Sequence, residues 1–296
     1  MPSPLGETVE TVLAILAILI TGLKPGVNES KTLETVETRE ILNLDPVRES
    51  TPMKRTIILA GLLLMSIPAT AQQVNKEITN LGGKARAYYL FVPEKLNKDH
   101  PAPLLVLLHG SGRNGASLAD KWKDLAKKEG IILVAPDAIT TEGWRSPVDG
   151  PDFLHDLITE LLSKYPIDAR RIYLFGHSAG ASFALYMALY ESEYFAAAAI
   201  HAGALTPEDG VIVERAKRKI PIHIAVGTVD RFFPLAAVRD TRDMLNNNGF
   251  NAQLIEMPGH DHWYYDLAPK INATAWTFLK EQKLADEPRY QKYSFQ

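Results

Sequence analysis

The sequence predicts an α/β fold, in which a mostly parallel central sheet is flanked by helices on both faces. Short apolar segments alternate with segments of helical spacing along most of the chain, a pattern typical of parallel strands joined by crossover helices. The segment Leu104–Leu108 is continuously apolar, as expected for a strand that is buried on both faces. A Gly-x-Ser-x-Gly motif at 176–180 stands between a strand-like and a helix-like segment, which is where an α/β fold makes a tight turn.

The composition is that of an ordinary globular protein. The 296 residues are 46% hydrophobic and 23% charged, with a formal net charge of −3, so the chain can bury a large core. This balance does not predict a nucleic-acid partner, which would require a basic stripe. The sequence contains no cysteine, which excludes disulfides, thiolate metal sites and a cysteine nucleophile.

The N-terminal quarter contains a segment with the composition of a secretory signal. Met53-Lys54-Arg55 is basic, residues 56–67 are apolar, and Ala69-Thr70-Ala71 provides small residues for cleavage before Gln72. Because such signals begin at the initiator methionine, we expect Met53 to be the native start and residues 1–52 to be a non-native extension. The signal peptide is then 53–71, and the protein is exported to the periplasm or the medium.

An alternative keeps both N-terminal segments and tethers the protein to a membrane. Residues 11–23 are apolar, but they are shorter than the roughly 18–20 residues that span a bilayer. In either case we expect the domain that follows, residues 72–284, to lie outside the cytoplasm. If the signal is cleaved, we expect no stable membrane insertion. Residues 285–296 are polar and are expected to form a loose tail.

The elements of this domain are predicted in chain order from apolar runs and helix-end signals. A helix over 116–129 ends at Gly130, a helix over 151–165 begins with Pro151, and a helix over 235–247 ends before Gly249. Two further helices are predicted over 181–189 and 271–280. The predicted strands cover residues 84–92, 104–108, 131–135, 171–175, 195–201, 220–226 and 251–257.

The motif Gly176-His177-Ser178-Ala179-Gly180 has the setting of a nucleophile elbow. In that turn a serine hydroxyl projects above the sheet edge, and the first N–H groups of the helix face a developing oxyanion. A serine needs a base that is held in one tautomer by a carboxylate, and in this order of elements both follow the serine in the sequence. The elbow therefore predicts an acid and a histidine farther along the chain.

Asp230 is the candidate acid, because it follows the apolar run that ends at Val226 and therefore stands at the carboxyl end of a strand. Two histidines, His260 and His262, follow the last strand, where the base is expected. Either can serve as the base, while the other contacts the loop or the substrate. A metal site made by this His-x-His pair has no obvious third ligand, so no metal or organic cofactor is predicted.

The loop His109-Gly110-Ser111-Gly112 follows the buried strand 104–108. In this arrangement it supplies the second oxyanion donor, for which Ser111 N–H is the first choice and Gly110 N–H the alternative; Ala179 N–H is the first donor. We expect His109 to brace this loop. Trp144 lies in a loop between a strand and a helix, where it either contacts the substrate or packs on the surface.

These motifs resemble those of secreted α/β-hydrolases, in particular polyhydroxybutyrate depolymerases, feruloyl esterases and acetyl xylan esterases. The resemblance covers about residues 80–282 and includes the run Asp168-Ala169-Arg170-Arg171-Ile172-Tyr173 together with the elbow, the 109–112 loop, Trp144 and Gly227-Thr228-Val229-Asp230. The stretch Asp261-His262-Trp263-Tyr264-Tyr265 also resembles that around the base of S-formylglutathione hydrolases. That likeness implies that His262 is the base. Cysteines found in disulfide-bearing members are missing here, and the spacing around the base differs from that of the depolymerases.

The resemblance implies a serine esterase that cleaves feruloyl, acetyl or short-chain acyl esters through an acyl-enzyme. Ser178, Asp230 and His262 would be catalytic, Ser111 and Ala179 would form the oxyanion hole, and Trp144 would contact the substrate. The expected substrate is a small-molecule or saccharide-linked ester. Alternatives are a serine peptidase of the prolyl-oligopeptidase type, a polyhydroxyalkanoate depolymerase and a non-catalytic binding module. The sequence does not determine the oligomeric state.

Overall fold

The computed structural model describes residues 73–81 and 83–291. The N-terminal extension and the signal peptide predicted for residues 1–71 lie outside this range, as do the last five residues of the predicted tail. Within the described ranges, none of the helices combines the length and the apolar character needed to cross a bilayer.

The described residues form an eight-stranded sheet in the order β1-β2-β4-β3-β5-β6-β7-β8. The first two strands pair antiparallel with each other, and β2 pairs antiparallel with β4, whereas the remaining neighbours are parallel. The mostly parallel sheet is thus confirmed. The strands are β1 (Asn75–Leu81), β2 (Lys84–Phe91), β3 (Ala102–Leu108), β4 (Ile132–Pro136), β5 (Ile167–His177), β6 (Ala197–His201), β7 (Ile222–Gly227) and β8 (Ala252–Met257).

Helices cover both faces of this sheet because the crossover connections alternate with the strands. Apart from one short 3-10 turn, Pro207–Asp209, the helices are α1 (Ala116–Glu129), α2 (Pro151–Lys164), α3 (Ala179–Tyr190), α4 (Gly210–Arg215), α5 (Leu235–Asn247) and α6 (Tyr264–Leu279). The predicted limits of α1 and α5 agree with the structure. The last helix begins seven residues before the predicted start and contains Pro269 in its second turn.

The core consists of two apolar layers, one on each face of the sheet. Successive side chains of a strand point to opposite faces, so Leu104 and Val106 of β3 contact one layer whereas Leu105 and Leu107 contact the other. Helices α2, α3, α4 and α5 contribute to the first layer, and α1 and α6 contribute to the second. Burial on both faces explains why β3 has a continuous apolar sequence.

Two elements, β1 and α4, were not predicted, because β1 is largely polar and α4 spans only six residues. In β1 only Thr79 is buried, as is common for a polar edge strand. Residues 285–291, expected to be a loose tail, make specific contacts. Arg289 N–H donates to the Glu193 carbonyl over 3.0 Å, and the Tyr290 ring stacks on His155 with centroids 3.8 Å apart.

Candidate active site

Ser178 lies in the tight turn between the end of β5 and the start of α3. Its backbone has φ 57° and ψ −124°, a conformation that costs a non-glycine residue on the order of 1–3 kcal/mol. The flanking glycines permit this turn, because a Cβ at Gly176 would lie 2.1 Å from the Gly180 carbonyl oxygen. A Cβ at Gly180 would lie 1.9 Å from the Leu108 carbonyl oxygen. The turn therefore requires glycine at both positions, because in each case a neighbouring backbone occupies the space that a side chain would need.

The structure brings Ser178, His262 and Asp230 together at the carboxyl edge of the sheet. His262 Nε2 lies 2.9 Å from Ser178 Oγ, and His262 Nδ1 lies 2.8 Å from Asp230 Oδ2. The Asp230 side chain is fully buried, and its Oδ1 accepts the N–H groups of Phe232 and Phe233 over 2.8 and 2.9 Å. An ionised carboxylate accepts a hydrogen bond from Nδ1–H, which places the ring proton on Nδ1 and leaves Nε2 free to accept the serine proton.

His260, the other candidate base, points to a different partner. Its Nε2 lies 3.2 Å from Nε2 of the buried His201, and within the described residues it makes no hydrogen bond with Ser178. The two histidines of the His-x-His pair thus have different environments. No group of three or more potential ligand side chains able to hold a metal ion occurs in the described part of the chain.

The residues that carry the predicted oxyanion donors, Ser111 and Ala179, both face Gly143. A Cβ at Gly143 would be 3.5 Å from Ser111 Oγ and 3.6 Å from Ala179 Cβ. Across residues 73–81 and 83–291, neither the Ser111 nor the Ala179 N–H donates a hydrogen bond. The first N–H groups of a helix lack intrahelical acceptors, which makes Ala179 available to an anion.

His109 braces the loop that carries Ser111. Its Nε2 accepts the Ala138 N–H over 3.1 Å, so Nδ1 carries the proton and donates to the Gly110 carbonyl over 2.9 Å. Burial lowers the pKa of His109 and keeps the ring neutral in this arrangement. The loop is also fixed from the other side, because Gly112 N–H donates to the Thr141 carbonyl over 2.7 Å.

Trp144 joins this loop to an apolar pocket. Its indole N–H donates to the His109 carbonyl over 2.8 Å, and its ring stacks on Phe183 with centroids 5.0 Å apart. Beside it is a cavity of about 280 Å³, which is lined by Trp144, Ser146, Pro151, Phe183, Tyr186, Met187 and Tyr190. The Trp144 ring therefore forms a wall of this pocket, and it does not pack on the outer surface.

Two features of this site were not predicted from the sequence. Phe232 and Phe233 flank the His262 ring with centroids 4.8 and 5.8 Å away, and Phe232 is 76% exposed at the rim. A buried ion pair between Arg86 and Asp149 also fixes the loop that contains Trp144. The Phe-Phe pair directly after Asp230 could have been recognised in the sequence. Arg86 and Asp149 are 63 residues apart, on a strand and in a loop, so their pairing leaves no local sequence pattern.

The fold is similar to that of solved hydrolase structures. A ferulic acid esterase structure superposes with a TM-score of 0.60 at 19% identity, over 71% of this chain and 98% of that one. This chain has the α/β-hydrolase fold. As in other α/β-hydrolases, the residues brought together lie at the carboxyl ends of parallel strands.

Sequence comparisons place this hydrolase domain near esterases and depolymerases. Residues 151–271 match the family model described as Phospholipase/Carboxylesterase. The poly(3-hydroxyalkanoate) depolymerase C of Paucimonas lemoignei is 24% identical over 167 residues, which are 52% of this chain and 40% of that protein. The bifunctional acetylxylan esterase/xylanase XynS20E of Neocallimastix patriciarum is 28% identical over 153 residues, which are 50% of this chain and 22% of that protein. The chain thus spans less than half the length of either relative.

Proposed function

We propose that this chain hydrolyses carboxylic esters through an acyl-enzyme, with Ser178 as the nucleophile. The observation that carries the proposal is the continuous contact from Ser178 Oγ through the His262 ring to the buried carboxylate of Asp230. The similarity to proteins named as esterases and as a depolymerase supports the same reaction class. Small-molecule or saccharide-linked esters are the proposed substrates.

In the proposed acylation, His262 Nε2 takes the Ser178 proton as Oγ attacks the ester carbonyl. Asp230 holds the imidazolium through Nδ1–H, and the N–H groups of Ala179 and Ser111 stabilise the oxyanion of the tetrahedral intermediate. The C–O bond to the alcohol then breaks, and His262 returns the proton to the leaving oxygen. A water molecule, activated by His262 in the same way, hydrolyses the acyl-enzyme and regenerates the serine.

The pocket beside Trp144 is proposed to take the acyl group. Its volume of about 280 Å³ and its aromatic lining favour a flat or branched apolar acyl group. Ser111 and Ala179 both face Gly143, which precedes Trp144, and the Trp144 indole binds the His109 carbonyl of the loop that carries Ser111, so we propose that a carbonyl held by the two N–H groups directs its acyl substituent towards Trp144. We propose in addition that the protein is exported after cleavage before Gln72; mass spectrometry of the secreted protein would detect that N-terminus.

Labelling with a fluorophosphonate probe and hydrolysis of p-nitrophenyl esters test the reaction. We expect Ser178→Ala to abolish labelling and to lower kcat by about 10⁴-fold or more, because the nucleophile is removed. Ser182→Ala is a matched control in the next turn of α3, since the Ser182 hydroxyl donates to the Ala204 carbonyl over 3.3 Å. Labelling that persists in Ser178→Ala, or a folded wild-type protein without labelling, would overturn the proposal.

The substrate class is tested with a panel of feruloyl, acetyl and short-chain alkyl esters, together with aminoacyl anilides. Trp144→Ala is expected to raise KM for the feruloyl ester more than for the acetyl ester, because only the larger group reaches the pocket. A clear preference for anilides would instead indicate a peptidase. Equal effects of Trp144→Ala on all esters would show that the acyl group binds elsewhere.

A further inference from the structure

Three histidine rings outside the proposed reaction form a hydrogen-bonded chain beneath the site. His201, the last residue of β6, is completely buried; its Nδ1 lies 3.1 Å from Nδ1 of His177, and its Nε2 lies 3.2 Å from Nε2 of His260. We call His177, His201 and His260 the histidine bridge. One end directly precedes the nucleophile, and the other end stands two residues before the proposed base.

The backbone of the same residues connects the loops that carry the reacting groups. The His201 carbonyl accepts the Ser178 N–H over 3.1 Å, and the His260 carbonyl accepts the Val229 N–H over 3.1 Å, next to Asp230. A Cβ at Gly227 would lie 2.0 Å from the His260 carbonyl oxygen, so the acid loop and the base loop are in direct contact there. The histidine bridge therefore touches the turn of the nucleophile, the acid loop and the base loop.

The hydrogen bonds of the histidine bridge require neutral imidazole rings, each with its proton on a defined nitrogen. Each of its two N···N contacts holds one proton, so a ring that donates through one nitrogen must accept through the other. Burial lowers the pKa of His201 to about 2 and that of His177 to about 3, which is consistent with uncharged rings. A side chain without a hydrogen-bonding group at His201 would leave both neighbouring nitrogens without this partner.

We propose that His201 and His260 are positioning residues that fix the base loop relative to Ser178, and so set the distance from His262 Nε2 to Ser178 Oγ. This inference rests on the proposed function. The bridge is a hydrogen-bonded side-chain link between β6 and the base loop, whereas the hydrogen bond of His262 with Ser178 is made at the reacting atoms themselves. Loss of this link is expected to slow the chemical step, because displacing a catalytic group by about 1 Å can lower the rate on the order of 100-fold.

Steady-state kinetics of His260 variants, normalised to sites titrated with the fluorophosphonate, test this role. The His260 side chain is half-buried, so its variants are expected to fold. His260→Leu removes the bond to His201 and is expected to lower kcat per active site by about 10-fold while KM stays unchanged. His260→Gln places an amide near the position of Nε2 and is expected to recover most of this loss.

A double-variant cycle tests whether His201 acts through His260. The combined variant His201→Leu/His260→Leu is expected to have a kcat close to that of the slower single variant, because both substitutions break the same hydrogen bond between His201 and His260. His223→Leu is the control: His223 is buried on the neighbouring strand β7 and its ring forms no hydrogen bond within the described residues. Its kcat should equal that of the wild type.

Wild-type kcat in His260→Leu, equal losses in His260→Leu and His260→Gln, or multiplicative losses in the double variant would each overturn the bridge. Failure of the proposed function has a different signature, because the wild-type protein itself would then show neither labelling nor ester hydrolysis. The two results are therefore distinguishable in one set of measurements.

Discussion

Individual buried histidines make this protein sensitive to acid. The rings of His177, His201 and His223 are almost fully buried, and burial lowers their pKa values to about 3, 2 and 4. In the unfolded chain a histidine titrates near 6.5. Between that pH and the lowered pKa, the unfolded state binds a proton that the folded state does not. The stability that comes from keeping these rings neutral is therefore fully present above pH 6.5 and is lost as the pH falls.

His223 allows this effect to be measured apart from the site, because it lies near the start of β7, away from Ser178. Between pH 6 and pH 4.5 we expect His223→Leu to reduce the pH dependence of the unfolding free energy by about 1.4 kcal/mol per pH unit, the equivalent of one proton. Urea unfolding at several pH values measures the slope. His100→Gln, at an exposed position, should leave it unchanged; an unchanged slope in His223→Leu would contradict the assignment.

At the scale of elements, the strand–turn–helix unit of β5 and α3 depends on close contact with β3. The Gly180 backbone packs against the Leu108 carbonyl, which leaves no room for a methyl group. The same contact keeps α3 near the sheet and directs its first N–H groups towards the site. Glycine is therefore required at position 180 both by the turn and by the packing of α3 against β3.

We expect Gly180→Ala to destabilise the protein by about 3 kcal/mol or more, because the new Cβ meets backbone atoms that cannot move aside cheaply. Gly210→Ala is the control, since a Cβ at Gly210 meets nothing within 4 Å and its φ is helical. Thermal and urea unfolding measure both variants. Similar stabilities for the two would show that α3 can shift away from β3 without loss.

At the scale of the whole domain, a buried ion pair connects the antiparallel end of the sheet to the site. Arg86 on β2 donates to Asp149 Oδ1 over 2.5 Å and to the Val148 and Asp137 carbonyls over 3.0 Å each. Asp149 also accepts the Ile139 and Arg145 N–H groups. The pair thus fixes both ends of the loop that presents Trp144.

Arg86→Met is expected to cost about 3–5 kcal/mol, because it leaves the Asp149 carboxylate buried without its cation. It should also raise KM for esters with a large acyl group, since Trp144 loses its support. Arg239→Met is the matched control: Arg239 pairs with Glu256 on the surface, where solvent screens the interaction and such a pair adds little to stability. Urea unfolding and the ester panel supply the measurements, and equal losses in the two variants would contradict this role.

Features that depend on neighbouring residues in the chain were predictable. The apolar run 104–108, the helix signals of α1 and the glycines around Ser178 each determine local structure, and the order of strands and helices indicated the fold. The polar edge strand β1 was missed because its stability comes from pairing with β2, which its own sequence does not encode. The same limit applies to the Arg86–Asp149 pair and to the histidine bridge.

The sequence by itself determined the fold class, the turn at Ser178 and the acid and base loops that follow it, because these depend on local backbone preferences and on the apolar pattern. The residues alone left His260 and His262 equivalent, and the family resemblance implied His262; only the tertiary structure showed that His262 reaches Ser178, directed Trp144 into a pocket and joined the three rings of the histidine bridge. Two side chains two residues apart in a loop have the same local chemistry. Their roles diverge because one reaches Ser178 and the other reaches His201, and those distances are set by the packing of strands far apart in the chain.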